Sequence, residues 1–318
     1  MNWKAYSIHK RDPDQSRSLV KKTFTVIIPL LAVLFIIALI SLLSITHHMN
    51  DERDRHDRKL LIKALIYRQQ SIRSQVENYS DWGEAYEHLH KALDTGWAWG
   101  SQNLGESLYK VLGYEGVFIL SPDGVTRYSV LDGQYTIEPL DDWTGSKITE
   151  NLQKEVDANR GTTVSHLVLS KQGISLIAGA AIRTGSDSNV KTVPGKPSLM
   201  VFVYRLTPAK LVTLGAEYGI RNVRLTQADD SDDEMTVTLS DVNGHSAVLT
   251  WDSQNPGRAL TLFHLPLFVI LIASTFFLIF MMMRNLLLKA KIIDENVFLL
   301  DKTHVALAES EKRFRDVM

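Results

Sequence analysis

The chain has 318 residues, contains no cysteine, and carries 35 lysines and arginines against 36 aspartates and glutamates, for a net charge of −1. The absence of cysteine excludes disulfides, iron–sulfur clusters, cysteine-bound zinc and a thiol nucleophile, and the even charge balance excludes a uniformly basic surface for nucleic acid. With 45% hydrophobic and 22% charged residues the composition also excludes wholesale disorder, and the length suits about two domains.

Two long uncharged windows interrupt this average composition. Residues 24–46 and 259–283 contain no Asp, Glu, Lys or Arg. Each exceeds the roughly 20 apolar residues that cross a bilayer, and neither has the polar face of a buried core helix. A cleaved signal peptide is the alternative for the first window, but its apolar stretch is long and no A-x-A cleavage site follows it. The sequence therefore predicts two transmembrane helices, with the lipid bilayer as a partner.

The distribution of basic residues predicts the orientation in the membrane. Residues 1–23 carry six basic and two acidic side chains, and residues 284–318 carry seven basic and six acidic ones. Residues 47–258 carry 22 basic and 28 acidic side chains. Because positive charge beside a transmembrane helix is retained in the cytoplasm, both termini are expected there, with residues 47–258 on the opposite side.

The region between the two windows has the pattern of an α+β domain. From residue 50 to about residue 87 apolar residues fall on one helical stripe, which predicts a long N-terminal stalk helix. Short alternating runs then predict an antiparallel sheet, with turns at 121–124 (SPDG) and at Asn243-Gly244. The stripe consists of Leu61, Leu65, Ile72 and Val76, and the predicted strands are 116–121, 126–130, 163–169, 174–182, 199–206, 222–227, 235–240 and 246–251.

Two further helices are predicted among these strands. One covers residues 145–159. The other runs from Pro208 to about Tyr218, with Thr207 as its N-cap and Pro208 at the first helical position. The segment 186–197 is polar and contains Gly and Pro, so it is expected to be a loop.

The tail after the second window has a heptad pattern. Apolar side chains recur every seven residues and a second series falls four residues later, which predicts a parallel dimeric coiled coil over 284–318. The seam loses its apolar character at His304. The alternative is one amphipathic helix that lies on a following domain. The residues expected to form the signalling coil are Leu286, Ile293, Val297, Leu300 and Leu307.

Motifs for catalysis and metal binding are absent from the sequence. It has no G-x-G-x-x-G, H-E-x-x-H or G-x-S-x-G, and Gly195-Lys196 is followed by Pro197 where a phosphate loop needs Ser or Thr. His88 and His90 are two residues apart, a poor spacing for metal ligands on a helix. The acidic run 229–234 lacks the Gly and Glu positions of a calcium loop. We therefore expect no enzyme activity, no metal and no cofactor in these residues.

One segment combines aromatic and acidic side chains. Of the six tryptophans, three fall within residues 82–99. Aromatic rings with a polar edge suit a pocket for a small ligand. The alternative is that these rings pack the stalk helix onto the sheet while the carboxylates face solvent. The candidate ligand-binding residues are Asp81, Trp82, Glu84, Tyr86, Trp97 and Asn103.

Residues 79–89 resemble the W-D-[DE]-x-Y core of CHASE4 extracytoplasmic sensor domains, with Trp82, Glu84 and Tyr86 at matching positions. Residues 103–104, 114–124, 249–251 and 256–257 are similar to that family too, so the resemblance covers nearly all of 50–258. The chain departs from the family at Gly83, where an acidic residue is usual. The resemblance implies a PAS-like or Cache-like sensor in the periplasm, carried by a protein of the bacterial inner membrane.

Residues 309–315 (ESEKRFR) resemble the start of a PAS domain. In proteins of this plan a diguanylate cyclase (GGDEF) domain usually follows, often with an EAL phosphodiesterase. A histidine kinase follows less often. The resemblance therefore implies an output that makes or degrades cyclic-di-GMP and lies outside this sequence, with the input region of a histidine kinase as the alternative.

Two functions from different classes fit these observations. A transmembrane sensor would bind a small molecule or a periplasmic protein and relay the signal through a homodimeric coil. A non-signalling membrane anchor would bind a partner through the same outer domain without relaying anything. The heptads favour the sensor, because an anchor needs no phased coil that leads into a PAS-like start. Nucleic acid is not an expected partner of either.

Overall fold

In a computed structural model, the described residues are 15–158, 163–170, 173–226 and 235–317. The chain divides into two compact units. The central unit is Asp51–Gln254, and the helical unit combines Met1–Asn50 with Asn255–Met318. Helix α1, Gln15–Ser80, contributes to both.

The central unit contains the predicted stalk, which is the last part of α1. Leu61, Leu65, Ile72 and Val76 are all buried, so the predicted apolar stripe is confirmed. The helix ends at Ser80, earlier than the predicted end near residue 87. The cause is a tertiary contact: Arg183 donates its backbone N–H to the Ser80 carbonyl over 2.8 Å, and Asp81 forms a parallel β-bridge with Arg183.

The strands of the central unit form two antiparallel sheets. The strands are β1 Gly116–Leu120, β2 Thr126–Leu131, β3 Gln134–Thr136, β4 Val164–Ser170, β5 Gly173–Ala181, β6 Leu199–Arg205, β7 Arg221–Thr226, β8 Thr236–Ser240 and β9 Ser246–Asp252. Their orders are β3-β2-β1-β6-β5-β4 in the larger sheet and β7-β9-β8 in the smaller. Every predicted strand is confirmed to within one residue at each end, although predicted end residue 227 lies outside the described residues. The short strand β3 was not predicted.

Short helices connect these strands. They are α2 Gly83–Ala85, α3 Glu106–Lys110, α4 Leu140–Thr144, α5 Thr149–Ala158 and α6 Pro208–Glu217, with π-helical segments Tyr86–Lys91 and Gly96–Gly100 between α2 and α3. The predicted cap of α6 is confirmed, because Thr207 accepts a hydrogen bond from the N–H of Lys210. The prediction of a helix from residue 145 is wrong at its start. The carboxylate of Asp141, in the unpredicted α4, accepts hydrogen bonds from the N–H groups of Ile148 and Thr149 at 2.9 Å and fixes the start of α5 at Thr149. Predicted end residue 159 lies outside the described residues.

The larger sheet is buried on both faces. Successive residues of a strand point to opposite faces, and so Val117 and Ile119 join one apolar cluster with α1 while Phe118 and Leu120 join a second cluster with α4 and α5. The smaller sheet adds Trp251 and Leu249 to the first cluster. The α+β prediction, with a long N-terminal helix and an antiparallel sheet, is therefore confirmed.

A buried carboxylate attaches the smaller sheet to the larger. Asp241, in the turn between β8 and β9, accepts a hydrogen bond from the N–H of Leu169 on β4 over 3.3 Å. Burial opposes ionisation of Asp241, but hydrogen bonds from His245, Leu169 and Asn243 outweigh it and hold the pKa of Asp241 below its ordinary value. The ionised form therefore fixes the position of this turn.

The helical unit contains the two apolar windows. Helix α7 is Pro256–Val317. It and α1 are long and apolar enough to cross a membrane, with mean hydropathies of 3.2 for α1 and 2.6 for α7 over their most apolar windows. The two helices pack against each other: the ring of Phe35 lies 6.0 Å from that of Phe268, and Asn50 accepts a hydrogen bond from the N–H of Gly257 over 2.8 Å.

Candidate functional site

Four of the six candidate residues form one cluster around Trp97. The ring of Trp97 lies 5.4 Å from that of Trp82, and its Nε1–H donates to Glu84 Oε2 over 3.4 Å. Asn103 donates its side-chain amide to the carbonyl of Trp97 over 3.0 Å. We call Trp82, Glu84, Trp97 and Asn103, together with His88, the tryptophan cluster. It joins the two π-helical segments, and such segments occur frequently at functional sites.

His88 completes the tryptophan cluster. Its ring stacks on Trp97 with centroids 5.1 Å apart and an interplanar angle of 6°. Its Nδ1 lies 3.1 Å from a carboxylate oxygen of Asp94. The pKa of Asp94 is held below its ordinary value first by the N–H of Trp97 and then by His88. The cluster is thus packed and internally hydrogen-bonded, and it leaves Trp82 39% exposed.

The other two candidates, Asp81 and Tyr86, line a cavity of about 470 Å³. Tyr86 is buried, and its hydroxyl accepts a hydrogen bond from the N–H of Val193 over 2.9 Å. Asp81 lies 3.4 Å from Nε of Arg183. We call this space the loop cavity, because the connection from β5 to β6 forms much of its wall. Its lining residues are Asp81, Tyr86, His90, Ile182, Arg183, Thr184, Gly185, Thr192, Val193, Gly195 and Pro197.

Two titratable residues of the loop cavity, His90 and Arg183, were not among the predicted site residues. His90 follows Tyr86 by one helical turn, and its ring lies 4.7 Å from the Tyr86 ring. Arg183 begins the long connection between β5 and β6. The one feature of the sequence that could have pointed to Arg183 is the unusual length of this connection, because long loops in compact domains are often functional.

His90 is held in its neutral form. Its Nδ1 accepts a hydrogen bond from the N–H of Ser198 over 3.1 Å, so the ring proton belongs on Nε2. Burial lowers the pKa of His90 below its ordinary value. His90 therefore presents an N–H donor without a positive charge.

The loop also explains why residue 83 is a glycine. A Cβ built on Gly83 would stand 2.6 Å from Oδ2 and 3.0 Å from Cβ of Asp187. A side chain at residue 83 would therefore displace the side chain of Asp187. Asp187 places a carboxylate next to the backbone position where the sequence lacks the acidic residue that the family resemblance leads one to expect.

The family model of the CHASE4 domain matches residues 64–226, which is about half of the chain. This chain belongs to the CHASE4 family. CHASE4 is an extracytoplasmic sensor domain of bacterial signalling proteins, and it is not catalytic. No curated protein matches the chain.

The CHASE4 match contains both groups of candidate residues. It begins within α1 and ends with β7, so it includes the tryptophan cluster and the whole loop cavity. Strands β8 and β9 lie outside the match, although residues 249–251 contributed to the resemblance seen in the sequence. Two apolar helices flank the CHASE4 domain, an arrangement that fits transmembrane sensing by a two-pass protein of the inner membrane.

The remaining predicted site residues lie in α7. Leu286 is half-buried, whereas Ile293, Val297, Leu300 and Leu307 are exposed in the single chain. The coiled coil stays a prediction. The acidic run 229–234 lies outside the described residues. Within the described ranges, no group of three His, Asp or Glu side chains is placed to hold a metal ion.

Proposed function

We propose that this chain is the input region of a two-pass sensor in the bacterial inner membrane. Residues 47–258 would lie in the periplasm, and residues 1–23 and 284–318 would lie in the cytoplasm. Support comes from the CHASE4 match between two apolar helices and from the basic residues that flank those helices.

The observation that carries the proposal is the way in which the central unit is closed. Ser253, close to its last residue, donates a hydrogen bond to Asp54, close to its first, over 2.7 Å. The two chain ends that continue into the apolar helices are therefore held side by side. A rearrangement of the central unit can then act on both helices at once.

The output step requires a second copy of the chain. Helix α7 exposes Ile293, Leu300 and Leu307 at seven-residue spacing, each more than half exposed. We propose that a parallel homodimeric coil covers this stripe. A ligand shifts such a dimer only through different affinities for its two arrangements, and a helix displacement of about 1–2 Å is typical of such transitions.

The signal itself would be a small molecule or a periplasmic protein. The tryptophan cluster and the loop cavity are the two places where the candidate residues Asp81, Trp82, Glu84, Tyr86, Trp97 and Asn103 lie. The strand order β2-β1-β6-β5-β4, with α1 on one face, supports a PAS-like or Cache-like sensor. The proposal involves no cofactor in this region and no nucleic acid.

The proposed output is the synthesis or hydrolysis of cyclic-di-GMP. Its support is the resemblance of residues 309–315 to the start of a PAS domain, together with the output domains that usually follow CHASE4 in proteins of this plan. A histidine kinase output would use the same input region and the same coil.

Topology is tested by single-cysteine labelling, which is clean because the natural chain has no cysteine. Lys191 in the loop and Lys302 in α7 are both exposed. In spheroplasts, a membrane-impermeant maleimide should label Lys191→Cys at once and Lys302→Cys only after permeabilisation. Labelling of Lys302→Cys in intact spheroplasts would contradict the proposed orientation.

A further inference from the structure

Three residues that line the loop cavity carry hydrogen-bond donors. The guanidinium of Arg183 has five N–H groups, and its contact with Asp81 is long, at 3.4 Å. Neutral His90 presents Nε2–H, because its Nδ1 is the acceptor for Ser198. Tyr86 accepts from Val193 through its oxygen, which leaves the phenol proton to donate. Three donor residues, one of them cationic, therefore line the same space.

We propose that the loop cavity binds a small organic carboxylate. The carboxylate of the ligand replaces Asp81 as the ion-pair partner of Arg183. The inference rests on the proposed sensor function and names the ligand class and the trigger. The carboxylate of the ligand would pair with Arg183 and accept from His90 and Tyr86. Its short aliphatic part would lie against the apolar wall formed by Ile182, Val193 and Pro197.

The charge of the lining favours an anion over a cation. Asp81 is the one acidic side chain among the described lining residues, and it already faces Arg183. A cationic ligand would therefore have to pair with Asp81, and the positive charge of Arg183 would then lose its partner. An anionic ligand supplies Arg183 with a new partner and matches the remaining donors, since charge-assisted hydrogen bonds are the stronger ones.

The Asp81–Arg183 pair is suited to exchange. Both side chains are more than a third exposed, at 37% and 39%, and ion pairs as exposed as this one contribute little to stability. A ligand carboxylate that meets Arg183 together with two further donors would form the better set of contacts.

The exchange would act directly on α1. Asp81 is the residue after Ser80, at which α1 ends, and its N–H still donates to the Glu77 carbonyl over 2.9 Å. A negative charge at the C-terminal end of a helix is unfavourable because the helix dipole is negative there. Asp81 is thus stabilised by Arg183. Loss of that side-chain partner would leave the backbone bridge between Asp81 and Arg183 as the contact that holds the end of this helix, and so would weaken its attachment.

The test measures thermal unfolding of the full chain in nanodiscs. The probes are the sodium salts of acetate, lactate, succinate and citrate, compared with sodium chloride at equal ionic strength. We expect at least one carboxylate to raise the midpoint of the natural protein, because a ligand of the folded state stabilises it. Arg183→Gln should weaken its apparent affinity by roughly tenfold or more, as expected for the loss of a charged hydrogen-bond partner. Arg183→Lys, which keeps the charge, should lose less.

Asp81→Asn distinguishes the anion from every other ligand class. The variant removes the competing carboxylate, so the affinity for the carboxylate should rise. The matched controls come from an exposed pair outside the cavity, in which Arg224 lies 2.7 Å from Asp252. Arg224→Gln and Asp252→Asn should leave the carboxylate effect unchanged.

Three results would overturn the inference: no carboxylate raises the midpoint, Arg183→Gln binds as tightly as the natural protein, or Asp81→Asn weakens binding. None of them would bear on the topology labelling, which uses no ligand. If Lys191→Cys and Lys302→Cys label as expected while the carboxylates fail, the sensor proposal stands and the loop cavity is not its carboxylate site.

Discussion

The hydroxyl of Ser253 donates a 2.7 Å hydrogen bond to the carboxylate of Asp54, and this contact joins segments that are 199 positions apart in the chain. Asp54 is buried at this contact, with 8% of its surface exposed. Ser253 lies between β9 and α7, and Asp54 lies on α1. The contact therefore ties together the two segments that connect the CHASE4 domain to the apolar helices.

Ser253→Ala should loosen this connection. The variant removes the donor to Asp54 and should lower the free energy of unfolding by about 1–2 kcal/mol, because a hydrogen bond to a charged group is lost. The measurement is thermal or denaturant unfolding of the full chain in nanodiscs. Ser101→Ala is the matched control, because Ser101 is exposed. Equal free energies of unfolding for the two variants would show that the contact does not stabilise the fold.

At Gly257 the backbone of α7 lies directly against α1. A Cβ built there would overlap the backbone oxygen of Thr46, so any side chain must force the helices apart. Gly257→Ala should destabilise the full chain by roughly 1–3 kcal/mol, as overpacking does, and Gly257→Leu should do so more strongly. Unfolding in nanodiscs measures the effect. Gly100→Ala is the control, since no atom lies within 4 Å of a Cβ at that position.

Tyr86 and Trp82 should respond differently to truncation. Tyr86 is 5% exposed, and Tyr86→Ala should lower the free energy of unfolding by about 3 kcal/mol, as for other buried aromatic residues. Trp82 is 39% exposed, so Trp82→Ala should cost clearly less. Tyr86→Phe keeps the ring and loses only the acceptor for Val193, at about 1 kcal/mol. Equal losses for the two alanine variants would contradict the division into packed and exposed rings.

His90 should make the fold less stable in acid. Because burial lowers its pKa in the folded state below the ordinary 6.5, the unfolded chain binds a proton more readily than the folded one. Stability is therefore complete above about pH 6.5 and is lost as the pH falls towards the lower folded pKa. His90→Gln, whose carbonyl can still accept from Ser198, should flatten the dependence of the unfolding midpoint on pH in this range. Ser101→Ala, which changes an exposed residue that does not titrate, should leave it unchanged.

Local patterns predicted most of the fold. The alternation of apolar residues and the turn sequences at Gly124 and Gly244 are properties of short segments, and the strands follow them to within one residue. The end of α1 could not be predicted in this way. Neither Gly nor Pro interrupts residues 50–82, and the helix stops because Arg183, more than one hundred residues later, pairs with the backbone at Ser80 and Asp81.

The two groups of candidate residues also differ in how far the sequence could predict them. The tryptophan cluster is built from residues 82–103, so proximity in sequence was enough to suggest it. The loop cavity combines Tyr86 and His90 with Arg183 and Val193, and no local motif links these residues. Their association depends on the pairing of β5 with β6, which returns the chain to the end of α1.

The most direct test of the sensor account is oxidative cross-linking of the full chain in membranes at a single cysteine in α7. Leu300→Cys lies on the proposed dimer seam, and Lys302→Cys, two residues on, lies outside it. We predict dimers at residue 300 and few at residue 302, with a cross-linking rate at residue 300 that changes when Ser253→Ala is added and not when Ser101→Ala is added. Equal cross-linking at the two positions, or a rate at residue 300 that Ser253→Ala leaves unaltered, would contradict the relay from the CHASE4 domain to the coil.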